Sequence, residues 1–222
     1  MKTIRTSSIF FPEIQLPARS AHQLRGYFGN LFKEYSPLLH NHFEDGTLRY
    51  SYPLVQYKII DNTPVLLGIN EGSTLLMELF LKVDSIKILD VTYPLLQKNA
   101  KVLEDHIGIT DELHSYYFRT PWMALNQQNF QEYAKMNEIE RSGFLCRILI
   151  GNILSFYKGI GHYLTSDERI LLKIQPREKS TKFKNQNMVA FQGQFVTNAL
   201  LPNLIGLGKS VSRGFGTIQK MP

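Results

Sequence analysis

The sequence predicts an α+β protein built from two βαββαβ units in tandem and ending in a glycine-rich loop. Three observations predict it. Strand and helix signals in the first half run strand, helix, strand, strand, helix, strand, which is the ferredoxin-like (RRM-like) order. The second half repeats that order in outline, without visible sequence identity to the first. The length, 222 residues, suits two compact halves of about 100 residues each. The expected units are 1–108 and 109–222, with the boundary between Asp105 and Leu113.

In the first half, residues 2–11 are β-branched and aromatic and stop at Pro12, as a strand would. Ser20 with Gln23 reads as a capping box. Leu24, Tyr27, Phe28, Leu31 and Phe32 then recur at helical spacing and form an apolar stripe. Pro37 ends this helix, and Asp45-Gly46 signals a turn. A hairpin is expected over 47–70, with strands from Thr47 to Ile60 and Val65 to Ile69 about a turn at Asp61-Asn62-Thr63-Pro64. Glu71-Gly72-Ser73 opens a helix carrying Leu75, Leu76, Leu79 and Phe80, and Ile86–Tyr93 is the strand that closes the half. Residues 94–113 read as irregular.

The second half opens on a strand at Tyr116–Trp122, followed by a helical turn or two within 126–136. Asn137 and Glu140 then cap a helix bearing Leu145, Ile148, Leu149, Asn152, Ile153 and Phe156. Strands at Glu168–Gln175 and Val189–Thr197 flank a polar tip at Pro176–Gln186. A last strand is expected at Thr217-Ile218.

Lys and Arg number 25 against 19 acidic residues, a net charge of +6, which favours a polyanionic partner. The single cysteine, Cys146, excludes an internal disulfide and any multi-cysteine metal site, and is expected in the core of a reduced, cytoplasmic protein. Lys2 and Arg5 precede no apolar stretch before Pro12 and Glu13, so no signal peptide is read. No run approaches the roughly 18 apolar residues of a membrane span. The expectation is a soluble protein with no membrane partner, no cofactor and no resident metal, either a monomer or a homodimer.

The most specific stretch is Gly206-Leu-Gly-Lys-Ser-Val-Ser-Arg-Gly-Phe-Gly216. Gly206, Gly208, Gly214 and Gly216 surround Lys209, Ser210, Ser212 and Arg213, with Phe215 between the last two glycines. Flexible backbone can turn N–H groups toward an anion there, beside two cations. Gly208-Lys209-Ser210 is not a P-loop, because Asn203 stands where that motif needs glycine and Arg213–Gly216 would break the helix that must follow.

In an extended segment residues i and i+2 point the same way, so the spacing of His40 and His42 would let both imidazoles reach one site. A histidine pair can act as base and acid, or ligate a metal with a carboxylate such as Glu44 or Asp45. A surface loop that happens to hold two histidines is about as well supported. Tyr50 and Tyr52 follow closely. Further candidate contacts to a polyanion are Arg19, His22 and Arg25 on the first helix, and Lys173, Arg177, Lys179, Lys182 and Lys184 around the second half's polar tip. His106, His114 and His162 read as structural or solvent-facing.

Together, Ser20-Ala-His-Gln-Leu-Arg-Gly-Tyr-Phe-Gly29, His40-Asn-His42 and the glycine stretch resemble the CRISPR-associated endoribonucleases that cut repeat transcripts into guide RNAs. These belong to the RAMP superfamily, and the likeness is to the branch accompanying type I systems. The resemblance implies a metal-independent cut within each CRISPR repeat: the ribose 2′-hydroxyl attacks the adjacent phosphate, leaving a 2′,3′-cyclic phosphate and a 5′-hydroxyl. It implies His40 and His42 as base and acid in an unassigned order, with Tyr50 beside them and Tyr52 also fitting. It further implies that the glycine loop holds RNA backbone, that the basic hairpin grips the repeat, and that other subunits of a type I effector complex are further partners. A non-catalytic RNA-binding subunit of such a complex, and a metal-dependent nuclease using His40, His42 and a carboxylate, are the alternatives.

Overall fold

The computed structural model describes residues 1–31, 52–183 and 186–222, with the backbone alone for 182, 183, 186 and 187. The chain divides into two units. One comprises Thr3–Asp105 with Ser212–Gly214; the other comprises Met1–Lys2, His106–Val211 and Phe215–Pro222. Both are α+β with antiparallel strands, in the tandem ferredoxin-like arrangement.

The N-terminal unit contains β1 (Lys2–Phe10), a 3-10 turn (Ala18–Ser20) running into α1 (Ala21–Leu31), β2 (Val55–Ile60), β3 (Thr63–Ile69), α2 (Glu71–Phe80), β4 (Ser85–Ile88), β5 (Val91–Pro94) and the start of β6 (Asn99–Phe118). Its sheet runs β2-β3-β1-β6. The helices cover one face: Val55, Tyr57 and Ile59 of β2, with Ile9 and Leu66, are buried with Leu24 and Phe28 of α1 and Leu75, Leu76 and Leu79 of α2. Phe28 is the keystone, its ring 6.3 Å from Phe11 and 6.0 Å from Tyr57. Strand alternation therefore turns Gln56, Lys58 and Ile60 to the opposite face, where they are also buried.

Several expectations change here. The β2–β3 turn uses two residues, Asp61 and Asn62, both at positive φ (50° and 65°), so Thr63 and Pro64 belong to β3. That is the hairpin turn whose twist matches paired strands. β2 starts at Val55, later than expected; the Thr47–Ser51 part of that expectation, with Pro37 and the Asp45-Gly46 turn, lies outside the described residues. Leu31, expected on the apolar stripe of α1, is exposed, and Phe32 lies outside the described residues.

Ile86–Tyr93 is not one strand. It folds back at Leu89-Asp90 into the β4–β5 hairpin, a separate two-stranded sheet with Ile88 opposite Val91. No glycine or proline marks that break, and Leu89 itself takes φ 54°. The closing strand of the unit is instead β6, a 20-residue strand through the stretch expected to be irregular. Its first residues, Asn99 to Glu104, are all exposed, Val102 and Leu103 included, so no burial alternation betrays it; pairing with neighbours holds it, supplemented by the Thr6 hydroxyl donating to Asp105 at 2.6 Å.

The C-terminal unit continues with the rest of β6, α3 (Gln127–Lys135), α4 (Glu138–Gly159), β7 (Leu172–Phe183), β8 (Gln186–Leu200) and β9 (Ile218–Lys220). β6 pairs with both β8 and β9, and β8 with β7, all antiparallel. Leu145, Leu149, Ile153 and Phe156 of α4 are fully buried, and Phe118, Trp122 and Phe195 form an aromatic core with centroids 5.2 to 5.4 Å apart. Trp122 lies beyond the end of β6 rather than in it, bridging to Phe191, and its indole N–H donates to Asn152 at 3.0 Å. Asn152 on the helical stripe is thus the partner that a buried indole needs. Cys146 sits half-buried on α4 rather than in the core.

Pro176–Lys182, expected as a loop tip, is strand: β7 and β8 stay in register out to Phe183 opposite Gln186. A two-stranded ribbon exposing polar side chains shows no hydrophobic alternation, so sequence periodicity stops before the ladder does. Between β8 and β9, where the second helix of a βαββαβ unit would stand, the chain instead runs through Pro202 and the glycine stretch, with only a 3-10 turn at Val211–Arg213.

The helix α4 starts as expected. The Asn137 side chain accepts from the Glu140 N–H at 3.0 Å while the Glu140 carboxylate accepts from the Asn137 N–H at 2.9 Å. Asn137→Ala leaves the Glu140 N–H without its side-chain acceptor and should lower stability by about 1 kcal/mol in urea unfolding, with an unchanged denaturant slope.

Candidate nucleic-acid interface

The glycine stretch is built against its own scaffold. Leu207 N–H donates to the Gly216 carbonyl (2.9 Å), Gly216 N–H to Pro121 (2.9 Å) and Lys209 N–H to Met123 (3.1 Å). A Cβ on Gly216, at φ 64°, would stand 1.9 Å from the Leu207 carbonyl oxygen, a contact only glycine permits. These backbone donors therefore serve the loop's shape. At the surface of the stretch lie the side chains of exposed Lys209 and half-buried Ser210, Ser212, Arg213 and Phe215. Gly206, bridged to Thr217, and Gly208, at φ 93°, belong to the same scaffold.

Ser212–Gly214 groups with the N-terminal unit. Gly214, at φ 84°, is placed so that a Cβ would lie 3.1 Å from the Tyr57 carbonyl oxygen, 3.2 Å from Lys58 Cα and 3.5 Å from Ala21 Cβ. The start of α1 and the middle of β2 thus receive this turn directly, and Arg213 comes beside Arg25 of α1. Burial, then the neighbouring Arg213 charge, lower the pKa of Arg25 from its ordinary value. Two guanidiniums held together at a half-buried position make a place where an anion relieves repulsion. On the preceding turn Arg19 and His22 are exposed, and His22 Nδ1 donates to the Arg19 carbonyl at 2.6 Å, which leaves Nε2 directed outward.

β2 holds a charged residue that periodicity did not single out. Lys58 is fully buried, its ammonium donating to Gln56 Oε1 at 2.9 Å. The Gln56 amide in turn donates to the Tyr52 phenol oxygen at 2.9 Å and to the Pro53 carbonyl at 3.1 Å. Loss of water around the ammonium pushes the Lys58 pKa down to about 7. Gln56 and Lys58 alternate with Val55, Tyr57 and Ile59, a pattern that ordinarily reads as a strand with one face in solvent; the only signal for a site was two polar residues facing alike. Tyr57, by contrast, packs in the core as a sheet residue.

On the ribbon, Lys173, Arg177 and Lys179 of β7 are exposed and point one way with Gln175, whose side chain accepts from Gln194 at 2.6 Å. Glu178 points to the other face and engages the Tyr133 hydroxyl and Arg141, so it does not neutralise this row. The side chains of Lys182 and Lys184 lie outside the described residues, as do His40, His42 and Tyr50. His106 is exposed; His114 lies 3.0 Å from the Thr110 hydroxyl; His162 packs edge-on against Tyr157 at 5.0 Å. Among the described residues no group of His, Cys, Asp or Glu is arranged to hold a metal ion, and no helix is long and apolar enough to cross a membrane.

Known proteins match the chain along nearly its whole length. Residues 2–106 match the model of the Cas6b N-terminal domain and residues 108–221 that of the Cas6b C-terminal domain. A crystal structure of Cas6b is 40% identical, covering 99% of this chain and 100% of its own, with a TM-score of 0.91. A crystal structure of the CRISPR RNA processing endoribonuclease Cas6b is 37% identical with the same coverage and a TM-score of 0.81. An uncharacterized protein of Methanocaldococcus jannaschii is 32% identical over 142 residues, 64% of this chain and 95% of that protein. Csf5, a type IV Cas6 crRNA endonuclease, shares the fold at a TM-score of 0.63 and 9% identity.

The depressed pKa of Lys58 fixes a pH dependence. The folded state resists protonating Lys58 below its ordinary value of 10.5, so the destabilising penalty is full below about pH 7 and is relieved as pH rises toward 10.5. The stability of Lys58→Met relative to the unsubstituted protein should therefore be highest near pH 6 and fall steadily between pH 7 and 10. Chemical unfolding of both proteins across that range checks it.

Proposed function

Since the chain belongs to the Cas6b family of CRISPR RNA-processing endoribonucleases, we propose that it cuts CRISPR repeat transcripts into guide RNAs without a metal ion. It is an endoribonuclease that binds CRISPR repeat RNA. The ribose 2′-hydroxyl at the cut attacks the adjacent phosphorus as a base removes its proton. The bond to the 5′-oxygen breaks as an acid protonates that oxygen, leaving a 2′,3′-cyclic phosphate and a 5′-hydroxyl. His40 and His42 are the base and acid, with Tyr50 or Tyr52 beside them; each well-placed group contributes about 10²- to 10⁴-fold in rate.

The single observation that carries the reading is the match of both Cas6b domain models over 2–106 and 108–221, joined to the His40-Asn-His42 spacing. Residues 1–108 hold the chemistry. Arg25 and Arg213, with Arg19, His22, Lys209, Ser210 and Ser212, contact RNA phosphates, and the row Lys173, Arg177 and Lys179, continued by Lys182 and Lys184, grips the repeat. Gly206, Gly208, Gly214 and Gly216 hold the loop in shape, with Phe215 placed to meet a base or ribose. Other subunits of a type I effector complex are further partners.

Cleavage of cognate repeat RNA should proceed in excess EDTA and vanish when the nucleotide at the cut carries a 2′-deoxyribose. The double change His40→Ala with His42→Ala should abolish cutting while repeat binding stays within a few-fold; normal cutting by that variant would remove both histidines from the site.

Arg213→Ala should weaken binding of uncleavable repeat RNA and reduce the slope of log affinity against log salt by about one. Titrations at several salt concentrations give that slope directly.

A further inference from the structure

The β7–β8 ribbon carries its cations on one face and its anchor on the other. Arg177 and Lys179 flank Glu178 in β7, so alternation sends them one way and Glu178 the other. Glu178 stands opposite Phe191 of β8, and both reach Tyr133 of α3. The Phe191 ring lies edge-on to Tyr133 at 5.6 Å, and the Tyr133 hydroxyl donates to Glu178 Oε1. Arg141, near the start of α4, approaches the same Glu178 oxygen at 3.7 Å. Arg141 is itself held: its Nε donates to the Tyr133 carbonyl at 3.2 Å, in the last turn of α3, and its guanidinium lies 4.8 Å from the Tyr133 ring centroid. A half-exposed ion pair of this kind adds little to global stability. Nor does an acid between two cations help to attract a polyanion, since its charge opposes theirs at short range. What these contacts do set is direction. A two-stranded ribbon twists strongly along its length, so pinning one side chain from one side fixes which way its sequence neighbours point.

We propose that Glu178 is a positioning residue for RNA binding: tied to Tyr133 and Arg141 on one side of the ribbon, it holds Arg177 and Lys179 on the other side toward the RNA backbone. The inference rests on the reading that the basic row grips the repeat, and deepens it by naming what orients the row. Glu178 acts through its two neighbours, so its contribution is conditional on them.

The test is titration of the protein with uncleavable repeat RNA, carrying a 2′-deoxyribose at the cut, at several salt concentrations. Arg177→Ala with Lys179→Ala should weaken binding by about 10-fold and lower the slope of log affinity against log salt by about two. Glu178→Gln separates the accounts by sign. Removing a negative charge from between two cations should, by charge alone, tighten binding of a polyanion. The positioning role predicts the reverse: a weakening of about 3- to 10-fold with a shallower salt slope, and a change of less than about 2-fold once Arg177 and Lys179 are already alanine.

Tyr133→Phe gives a second reading without altering net charge, because it removes only the hydroxyl. It should weaken binding as Glu178→Gln does, and the two changes together should cost no more than the larger alone. Tighter or unchanged binding by either single variant overturns the proposal. Equal losses from Glu178→Gln with and without the two cations overturn it as well, since they would mean a structural role unconnected with Arg177 and Lys179. Each of these results leaves the basic row's grip standing as long as Arg177→Ala with Lys179→Ala weakens binding. Unchanged binding by that double variant would instead remove the row from the interface, and the positioning role with it.

Discussion

The close approach of Gly214 to β2 is the constraint on which the N-terminal unit's candidate site depends. A Cβ on Gly214 would crowd the Tyr57 carbonyl oxygen at 3.1 Å and Lys58 Cα at 3.2 Å, and its φ of 84° is one that side chains rarely adopt, so the Ser212–Gly214 turn seats best as bare backbone. That seating delivers Arg213 to Arg25, two like charges that burial makes unfavourable together. Phe28, stacked between Phe11 and Tyr57, fixes α1 over the same strand and so fixes Arg25. Packing of apolar rings on one face of β2 and glycine backbone beside it thus sets the position of the cations.

The glycine stretch illustrates how a motif and its physical use can differ. Four glycines beside lysine and arginine suggest main-chain N–H groups turned toward an anion. In the structure the N–H groups of Leu207, Lys209 and Gly216 are spent on carbonyls of the same unit. Glycine is needed because backbone meets backbone, as at Gly216 and Leu207. The same economy appears at α4, where the N-terminal donors are satisfied by Asn137 and Glu140 rather than left for a partner.

Elements whose sequence carried burial periodicity were legible: α1 with Leu24 and Phe28, α2 with Leu75, Leu76 and Leu79, and α4 with Leu145, Leu149 and Ile153. Those held by pairing alone were not. β6 begins among Lys101, Glu104 and Asp105, and the β7–β8 ribbon runs through Arg177, Lys179 and Lys182, where a ladder of hydrogen bonds needs no apolar side chain. The β4–β5 hairpin turned at Leu89 for lack of any glycine to announce it. Of the candidate site, Arg25 and Arg213 were legible as charges but not as neighbours, because residues so far apart in sequence meet only through Gly214. Lys58 was hidden for a different reason: alternation assigns it correctly to the second face of β2, but not to burial there.

The central claim is that the 2′-hydroxyl of the RNA itself is the nucleophile. Mass spectrometry of both fragments from one cut repeat, made in the presence of EDTA, tests it most directly. The account predicts an upstream fragment ending in a 2′,3′-cyclic phosphate and a downstream fragment beginning with a 5′-hydroxyl. A 3′-hydroxyl upstream with a 5′-phosphate downstream, the ends left when an activated water attacks, would contradict it.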